Sequence, residues 1–360
     1  MELLGKSKTE LRDYCASLGE PAYRGGQIYH AMCAERRFDL AQMTNLPAAL
    51  RDRLAKEARI TLPAIRQRYS SRDGSVRYLF GLSGNGDGNT RSTSASVEAV
   101  FMPSEGRQTI CISTQAGCAV DCQFCLTAQL GLIRNLTPGE ILAQVLLPLE
   151  EHKAELQGQT NIVLMGQGEP LLNFDSVMTT VRILLDPEGV GISPKHATLS
   201  TSGIVPGIER LAQEKVRPKL AISLNASNDE QRNMLMPINR KYPLQTLLAA
   251  CQKYPLRPWE HLTFEYVMLG GINDSIEDAR RVVRLLAPLK SVKVNLIPWN
   301  PGELPYRESS PESIEAFRKT LVDRDVPAFV RYSRGRDVMA ACGQLALRET
   351  SSSALPVLQG

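Results

Sequence analysis

The stretch "TICISTQAGCAVDCQFC", residues 109–125, joins a short apolar segment to a loop with three cysteines, Cys118, Cys122 and Cys125. "TICIS" reads as a buried strand, because a short apolar run bounded by polar residues fits a sheet interior. The cysteines after it are spaced C-x3-C-x2-C. That spacing is too tight to straddle a sheet, but it wraps readily around one compact centre of a thiolate-preferring metal, zinc or iron–sulfur. A closed structural site normally has four protein ligands, so one position is open. Either another residue fills it, Cys111 being the nearest, or a small molecule does.

Downstream of this strand, strand-like and helix-like segments alternate. "NIVLM", "HATLS", "KLAISL", "LTFEYVM" and "VKVNLI" are apolar runs, and the stretches between them carry helix start signals. Thr137, Pro138 and Glu140 form a capping-box pattern, and Ser310 before Pro311 opens another helix. Continuous apolar strands alternating with helices predict a parallel α/β sheet, here an incomplete (β/α)6 barrel. Polar or glycine-rich ends follow five of these strands: the cysteine loop, "GQGEP" (166–170), "STSG" (200–203), "SLNA" (223–226) and "PWN" (298–300). In parallel α/β folds, ligands gather at the carboxyl ends of strands, so these five would share one rim.

Upstream, residues 1–65 read as a small helical accessory domain, from "SKTELRDYCASLG", "GGQIYHAMC" and "LPAALRDRLAKEA". Residues 66–107 read as a β-rich connecting segment, with strands "VRYLFGL" and "VEAVFMP" flanking a mobile loop, "SGNGDGNTRSTS". The barrel and a C-terminal segment fill residues 108–347, and residues 348–360 read as a flexible tail.

Composition sets the outer bounds. The 43% apolar and 22% charged content is that of a globular soluble protein, and no apolar run is long enough to span a bilayer. The N-terminus lacks the apolar core of a signal peptide, so a cytoplasmic location is expected. In that compartment the eight cysteines argue against a disulfide framework. Residues 1–70 hold 12 Lys/Arg against 8 Asp/Glu, the whole of the net charge of +4. Basic clusters there, "ERR" and "RDR", fit a face that meets phosphate, or simply a solvated helical surface.

C-x3-C-x2-C with Phe124 before the last cysteine resembles the signature of the radical S-adenosylmethionine (SAM) superfamily. In that superfamily three cysteines hold a [4Fe–4S] cluster and SAM occupies the open iron. "GQGEP" resembles its "GGEP" strand end. The wider set narrows the likeness: "CISTQAGCAVDCQFCLTAQLGLIRNLTPGEI", "MGQGEPLLN", "AISLNASNDEQRNMLMPINRKY", "FEYVMLGGIND", "NLIPWNP" and "RGRDVMAACGQL" together resemble the RlmN family. These are dual-specificity methyltransferases acting on adenine C2 of 23S rRNA (adenine-2503) and of tRNA (adenine-37).

The resemblance implies roles for named residues. Cys118, Cys122 and Cys125 would ligate one [4Fe–4S] cluster. Gly168, Glu169, Ser200, Ser223, Leu224, Asn225 and Asn300 would contact SAM, of which two molecules are used per turnover. Cys342 would take a methyl from the first. The second would yield a 5′-deoxyadenosyl radical that activates the methyl for addition to C2 and a covalent protein–RNA adduct. Cys111 would resolve the adduct through a transient disulfide with Cys342, and Glu98 would accept the C2 proton. Cys15, Cys33 and Cys251 match no motif and are expected in the core. Implied partners are 23S rRNA, tRNA and a low-potential electron donor such as flavodoxin, on a monomeric, membrane-free protein. The basic N-terminal helices and polar loops such as "NDEQRN" would grip RNA.

Two positions depart from the family pattern. Asn225 stands where His is common, and Gln167 stands where Met is usual, placing a polar amide beside the cofactor. Two rivals stay open: a Cfr-like adenine-C8 methyltransferase, against which "LTAQLG" speaks, and a non-enzymatic RNA-binding protein with a four-cysteine metal site including Cys111.

Overall fold

The structure, a computed structural model, describes residues 1–82 and 95–347; the loop read at 83–94 and the tail read at 348–360 lie outside the described residues. Three helices open the chain: α1 (Lys8–Ser17), α2 (Tyr23–Cys33) and α3 (Ala48–Glu57). Ser7 and Glu10 cap the first reciprocally, satisfying two backbone donors that a helix start leaves open. Leu11, Cys15, Ile28 and Met32 on the first two are fully shielded and belong to the same apolar core as the barrel residues Ile141 and Leu142.

Strands β1 (Ala64–Ser70), β2 (Val76–Gly81) and β3 (Ser96–Ser104) then form an antiparallel meander, and β3 pairs antiparallel with β4 (Arg107–Cys111). The segment read as a connector is therefore hydrogen-bonded into the barrel's own sheet. The first of these strands was not legible: "AIRQRYS" is an edge strand with alternating arginines and only Tyr69 buried, so it has no apolar run to betray it.

The cysteine loop is bracketed by a small two-stranded sheet, β5 (Gln115–Gly117) with β6 (Leu132–Asn135), and a one-turn helix α4 (Leu126–Gln129) starts directly after Cys125. Helix α5 (Pro138–Glu151) comes next, with the expected capping box of Thr137 and Glu140. The alternation then runs β7 (Gln159–Leu164), α6 (Phe174–Leu185), β8 (Ala197–Thr201), α7 (Val205–Ala212), β9 (Lys219–Ser223), α8 (Asp229–Leu235), α9 (Leu244–Lys253), β10 (Leu262–Met268), α10 (Ile276–Leu286), β11 (Val292–Pro298) and α11 (Pro311–Val322), closing on a three-residue strand, β12 (Ala328–Val330).

One ten-stranded sheet results, ordered β1-β2-β3-β4-β7-β8-β9-β10-β11-β12, with every pairing from β4 onward parallel. The incomplete α/β barrel expected from sequence is present, with the short β12 added at its open edge. Along β10, Phe264, Tyr266 and Met268 join the apolar core, while Thr263, Glu265 and Val267 line internal cavities. Each such buried apolar side chain stabilises the fold by about 1.5–3 kcal/mol, and the period of two is what leaves the polar partners facing inward. Among the described residues no helix is long and apolar enough to cross a membrane.

Candidate active site

At the carboxyl ends of the parallel strands lies an open cavity of about 980 Å³. Cys118, Cys122 and Cys125 line one side of it. Gly168, Glu169, Ser200, Ser223, Asn225 and Asn300 line it from the carboxyl ends of four strands, β7, β8, β9 and β11. Leu224 does not: its side chain is fully buried in the core, and only its backbone takes part locally, donating to the Glu265 carbonyl at 2.9 Å.

The local chemistry of this rim is specific. Gly168 has φ +98, and a Cβ there would lie 2.6 Å from the Gln115 Cβ, so only glycine fits between the two strand ends. Glu169 is nearly fully shielded. Its carboxylate accepts from the Ser202 N–H and hydroxyl, both at 2.7 Å, and from the Leu171 N–H at 3.1 Å. Burial pushes its pKa up, and those donors pull it back. The hydroxyls of Ser200 and Ser223 stand side by side, 3.4 Å apart. Asn300 donates to Ser333 Oγ at 2.9 Å and to the Cys342 carbonyl at 3.2 Å, while its own Oδ1 is buried without a partner.

Both departures acquire structural explanations. Asn225 adopts φ +54, a left-handed backbone that asparagine tolerates better than most residues. Its Oδ1 accepts from the Val267 N–H at 2.8 Å and its Nδ2 approaches Met236 Sδ at 3.3 Å, so the amide braces the rim. Gln167 corrects an expectation. Its side chain does not lie beside the cofactor cavity; it is fully buried, and its Oε1 accepts from the Glu98 N–H at 3.0 Å. The physical reason is the bend after β7, where Gly168 takes φ +98: Gly166 and Gly168 line the cavity while the Gln167 side chain is directed at the β3 backbone.

A second correction concerns "NDEQRN". It is not a polar loop; Asn228 caps α8 by accepting from the Gln231 N–H at 2.8 Å. Arg232 on that helix is fully shielded and donates to the carbonyls of Leu224 (3.1 Å), Ser202 (2.7 Å) and Ser223 (3.1 Å), tying the ends of β8 and β9 together. Sequence reading missed this residue, and an arginine in a polar stretch gives no sign of burial.

Cys342 is the one exposed cysteine of the eight, but what it is exposed to is internal. It lines the carboxyl-end cavity and also a second cavity below it, which Cys111 lines as well. Burial pushes its thiol up to about 11, with Glu265 and then Cys125 adding repulsion. The Cys111 thiol is raised by burial and then by Cys342, so the two sulfurs feel each other. Cys15, Cys33 and Cys251 lie in the core as expected.

Glu98 lines neither cavity. It is fully shielded on β3, ion-paired with Arg77, and accepts from the Leu347 N–H at 3.0 Å. Burial raises its pKa, while Arg77 and the amides of Leu347 and Ala346 lower it.

Among the described residues, no three His, Cys, Asp or Glu side chains converge tightly enough to hold one metal ion. A single tetrahedral ion would draw thiolates to within about 4 Å of each other. Cys118, Cys122 and Cys125 all line the carboxyl-end cavity, a three-thiolate donor set that fits an iron–sulfur cluster. Burial raises the Cys118 thiol to about 12 and lifts the Cys122 thiol well above its ordinary value, and each is raised again by neighbouring thiols and Glu169. Such a crowd of acidic groups suits a cationic centre that keeps them ionised. Cys111 lines the second cavity together with Cys125 and is absent from the lining of the first, where Cys118 and Cys122 stand.

Residues 112–286 match the model of the radical SAM superfamily, and residues 1–60 match that of the ribosomal RNA large subunit methyltransferase N-terminal domain. The chain is 49% identical over 346 residues to a probable dual-specificity RNA methyltransferase RlmN of Koribacter versatilis, covering 91% of this chain and 96% of that protein. It is 44% identical over 353 residues to the dual-specificity RNA methyltransferase RlmN of Anaeromyxobacter dehalogenans, covering 96% and 91%. Among solved structures, a radical SAM methyltransferase from Sphaerobacter thermophilus superposes with a TM-score of 0.88 at 42% identity, covering 96% of this chain and 99% of that one. Membership of the superfamily carries a [4Fe–4S] cluster and SAM with it, and the cavity's donor set fits both. The chain belongs to the RlmN family of radical SAM RNA methyltransferases.

Proposed function

We propose that this enzyme methylates carbon 2 of adenine, at adenine-2503 of 23S rRNA and adenine-37 of tRNAs. The route would run through a methyl-cysteine at Cys342 and a covalent protein–RNA adduct. One observation carries the reading: the Cys342 sulfur stands between two cavities, one lined by the three loop cysteines and the strand-end rim, the other by Cys111. A carrier that receives a methyl from one side and delivers it to the other needs that position.

Cys118, Cys122 and Cys125 would hold one cluster per chain, and Glu169, Ser200, Ser223 and the free Oδ1 of Asn300 would bind SAM. The cluster, when bound and reduced by a flavodoxin-like donor, supplies the electron that makes SAM a hydrogen-abstracting reagent. The protein's own residues do the rest. Cys342 accepts a methyl by displacement, since adenine C2 has no lone pair with which to attack SAM directly. This divides the work between two SAM molecules per turnover. Cys111, buried on the same side as the adduct, attacks the Cys342 sulfur and frees the product as the two sulfurs join. Glu98 would serve as proton acceptor only once the Leu347 amide releases it; in the resting arrangement it anchors the segment that carries Cys342. On this reading the enzyme works in the cytoplasm as a monomer.

The test is mass spectrometry of nucleosides from an rRNA fragment and a tRNA incubated with anaerobically reconstituted enzyme, SAM and reductant. The expected product is 2-methyladenosine, from protein carrying about four irons per chain. Appearance of 8-methyladenosine alone would replace this reading with the C8 chemistry.

A further inference from the structure

The second cavity, about 1700 Å³ and open to solvent, begins at the amino-terminal ends of the parallel strands, opposite the cysteine loop. Arg107 and Lys219 are the first residues of β4 and β9, Lys293 is the second of β11, and Arg331 follows β12. All four line this cavity, and Glu265 is the only carboxylate among its lining residues.

We infer that the substrate RNA strand enters the barrel through this amino-terminal opening, with Lys219, Lys293 and Arg331 taking the phosphates that flank the extruded adenosine. The inference rests on the proposed RNA methyltransferase activity and adds the face and the residues. Lys219 and Lys293 are half-buried, and neither has a hydrogen bond or ion pair with any described residue. Burial lowers the pKa of both, and neighbouring cations lower each further, Lys293 for Lys219 and Arg331 for Lys293, with Glu260 and Glu265 offsetting part of this, so three charges share the cavity. Cations held together in this way destabilise the empty protein, and an anionic ligand relieves that cost.

The N-terminal helices, the face favoured by sequence, differ in this respect. In "ERR" and "RDR", Arg36 pairs with Glu150 at 3.1 Å, Arg37 with Glu35 at 3.2 Å, Arg53 with Glu57 at 3.0 Å, and Arg51 donates to the Ala41 carbonyl at 2.6 Å. Three of these four charges already meet a carboxylate within the fold. The cavity also offers what a single strand needs besides charge. Tyr332, just past the carboxyl end of β12, is 63% exposed and lines it, and Phe329 on β12 is 44% exposed beneath the Arg331 guanidinium. Exposed aromatic faces beside cations stack unpaired bases. At the inner end stand Cys111 and Cys342, so base and cofactor would reach the thiol from opposite ends.

The experiment measures binding of an RNA hairpin bearing the target adenosine, by fluorescence anisotropy at several salt concentrations, for Lys219→Gln, Lys293→Gln and the double variant. Lys319→Gln, on the outer face of α11 and paired with Asp323, is the control. Each cavity variant should weaken binding about fourfold near 0.15 M salt and lower the salt slope by about 0.7. The control should match wild type. Because removing unpaired cations spares the fold, unchanged melting curves are expected; a lysine-acylation footprint of wild-type enzyme, with RNA shielding Lys219 and Lys293 specifically, gives the same answer without substitution. Wild-type affinity and slope in the variants, or equal labelling with and without RNA, overturns the entry face while leaving 2-methyladenosine formation intact. Failure of the wild-type enzyme to bind or modify RNA overturns both readings.

Discussion

The backbone N–H of Leu126, the residue after the third loop cysteine, donates to the carbonyl of Gly343, the residue after Cys342, at 2.8 Å. Thr127 adds a second tie, its hydroxyl donating to the Leu345 carbonyl at 2.6 Å. The loop that would hold the cluster and the segment that carries the methyl are thus hydrogen-bonded neighbours. Thr127→Val removes one tie while keeping shape, at a stability cost of about 1 kcal/mol. The expected outcome is slower methyl loading of Cys342, followed by mass spectrometry of the intact protein, with iron content unchanged. Loading at the wild-type rate would show that the tie has no part in positioning the thiol.

Glu98 and Arg77 make a second testable pair, because both side chains are almost wholly removed from solvent, at 0% and 1% exposure. Breaking a buried ion pair from one side costs about 3–5 kcal/mol, since it strands the remaining charge. Glu98→Gln should therefore lower stability by that order in a urea titration. Adding Arg77→Met to the same chain should restore part of the loss. A carboxylate held only for chemistry would show neither effect, and Glu98→Gln would then be silent in the titration while still abolishing turnover.

Gly168 tests the rim. An alanine there must hold φ +98 and place its Cβ 2.6 Å from that of Gln115, so β5 and the strand end after β7 must move apart. Gly168→Ala should weaken SAM binding at least tenfold by equilibrium dialysis. Gly343→Ala is the informative comparison: its φ is also positive, +78, but a Cβ would meet nothing closer than 3.7 Å. It should cost strain alone, about 1 kcal/mol, and leave SAM affinity near wild type.

Much of this architecture could be read from the chain because the signals are local. An apolar run before a cysteine loop, capping residues at 137 and 310, and polar strand ends each announce themselves within a few residues, and the structure has the strands and caps in place. What escaped depends on distant partners. The β1 strand is defined by pairing with β2, not by apolar residues of its own. Arg232 is a surface residue by type and a core residue by contact. Gln167 is polar, yet the bend after β7 turns it from the cavity toward the Glu98 backbone. Charge shows the same limit: the N-terminal arginines stand out in the sequence, where Arg53 meets its neighbour Glu57 and Arg36 the distant Glu150, whereas Lys219 and Lys293 are inconspicuous until the barrel brings them together.

Glu265 supplies the pH prediction. It lines both cavities, accepts from Asn295 Nδ2 at 2.9 Å, and after burial is the largest cause of the raised Cys342 thiol, at about 11. At pH 8 such a thiol is about 0.1% thiolate, against roughly 10% for one with a pKa near 9. A negative charge disfavours a second one nearby, so removing it must lower the Cys342 pKa, not raise it. Glu265→Gln should accordingly speed alkylation of Cys342 by iodoacetamide at pH 8 and shift the pH–rate midpoint downward, while Cys251, buried in the apolar core, reacts no faster. An unchanged midpoint would mean that burial alone sets the thiol's acidity. An upward shift would mean that Glu265 stabilises the thiolate, reversing the sign of its effect on the methyl carrier.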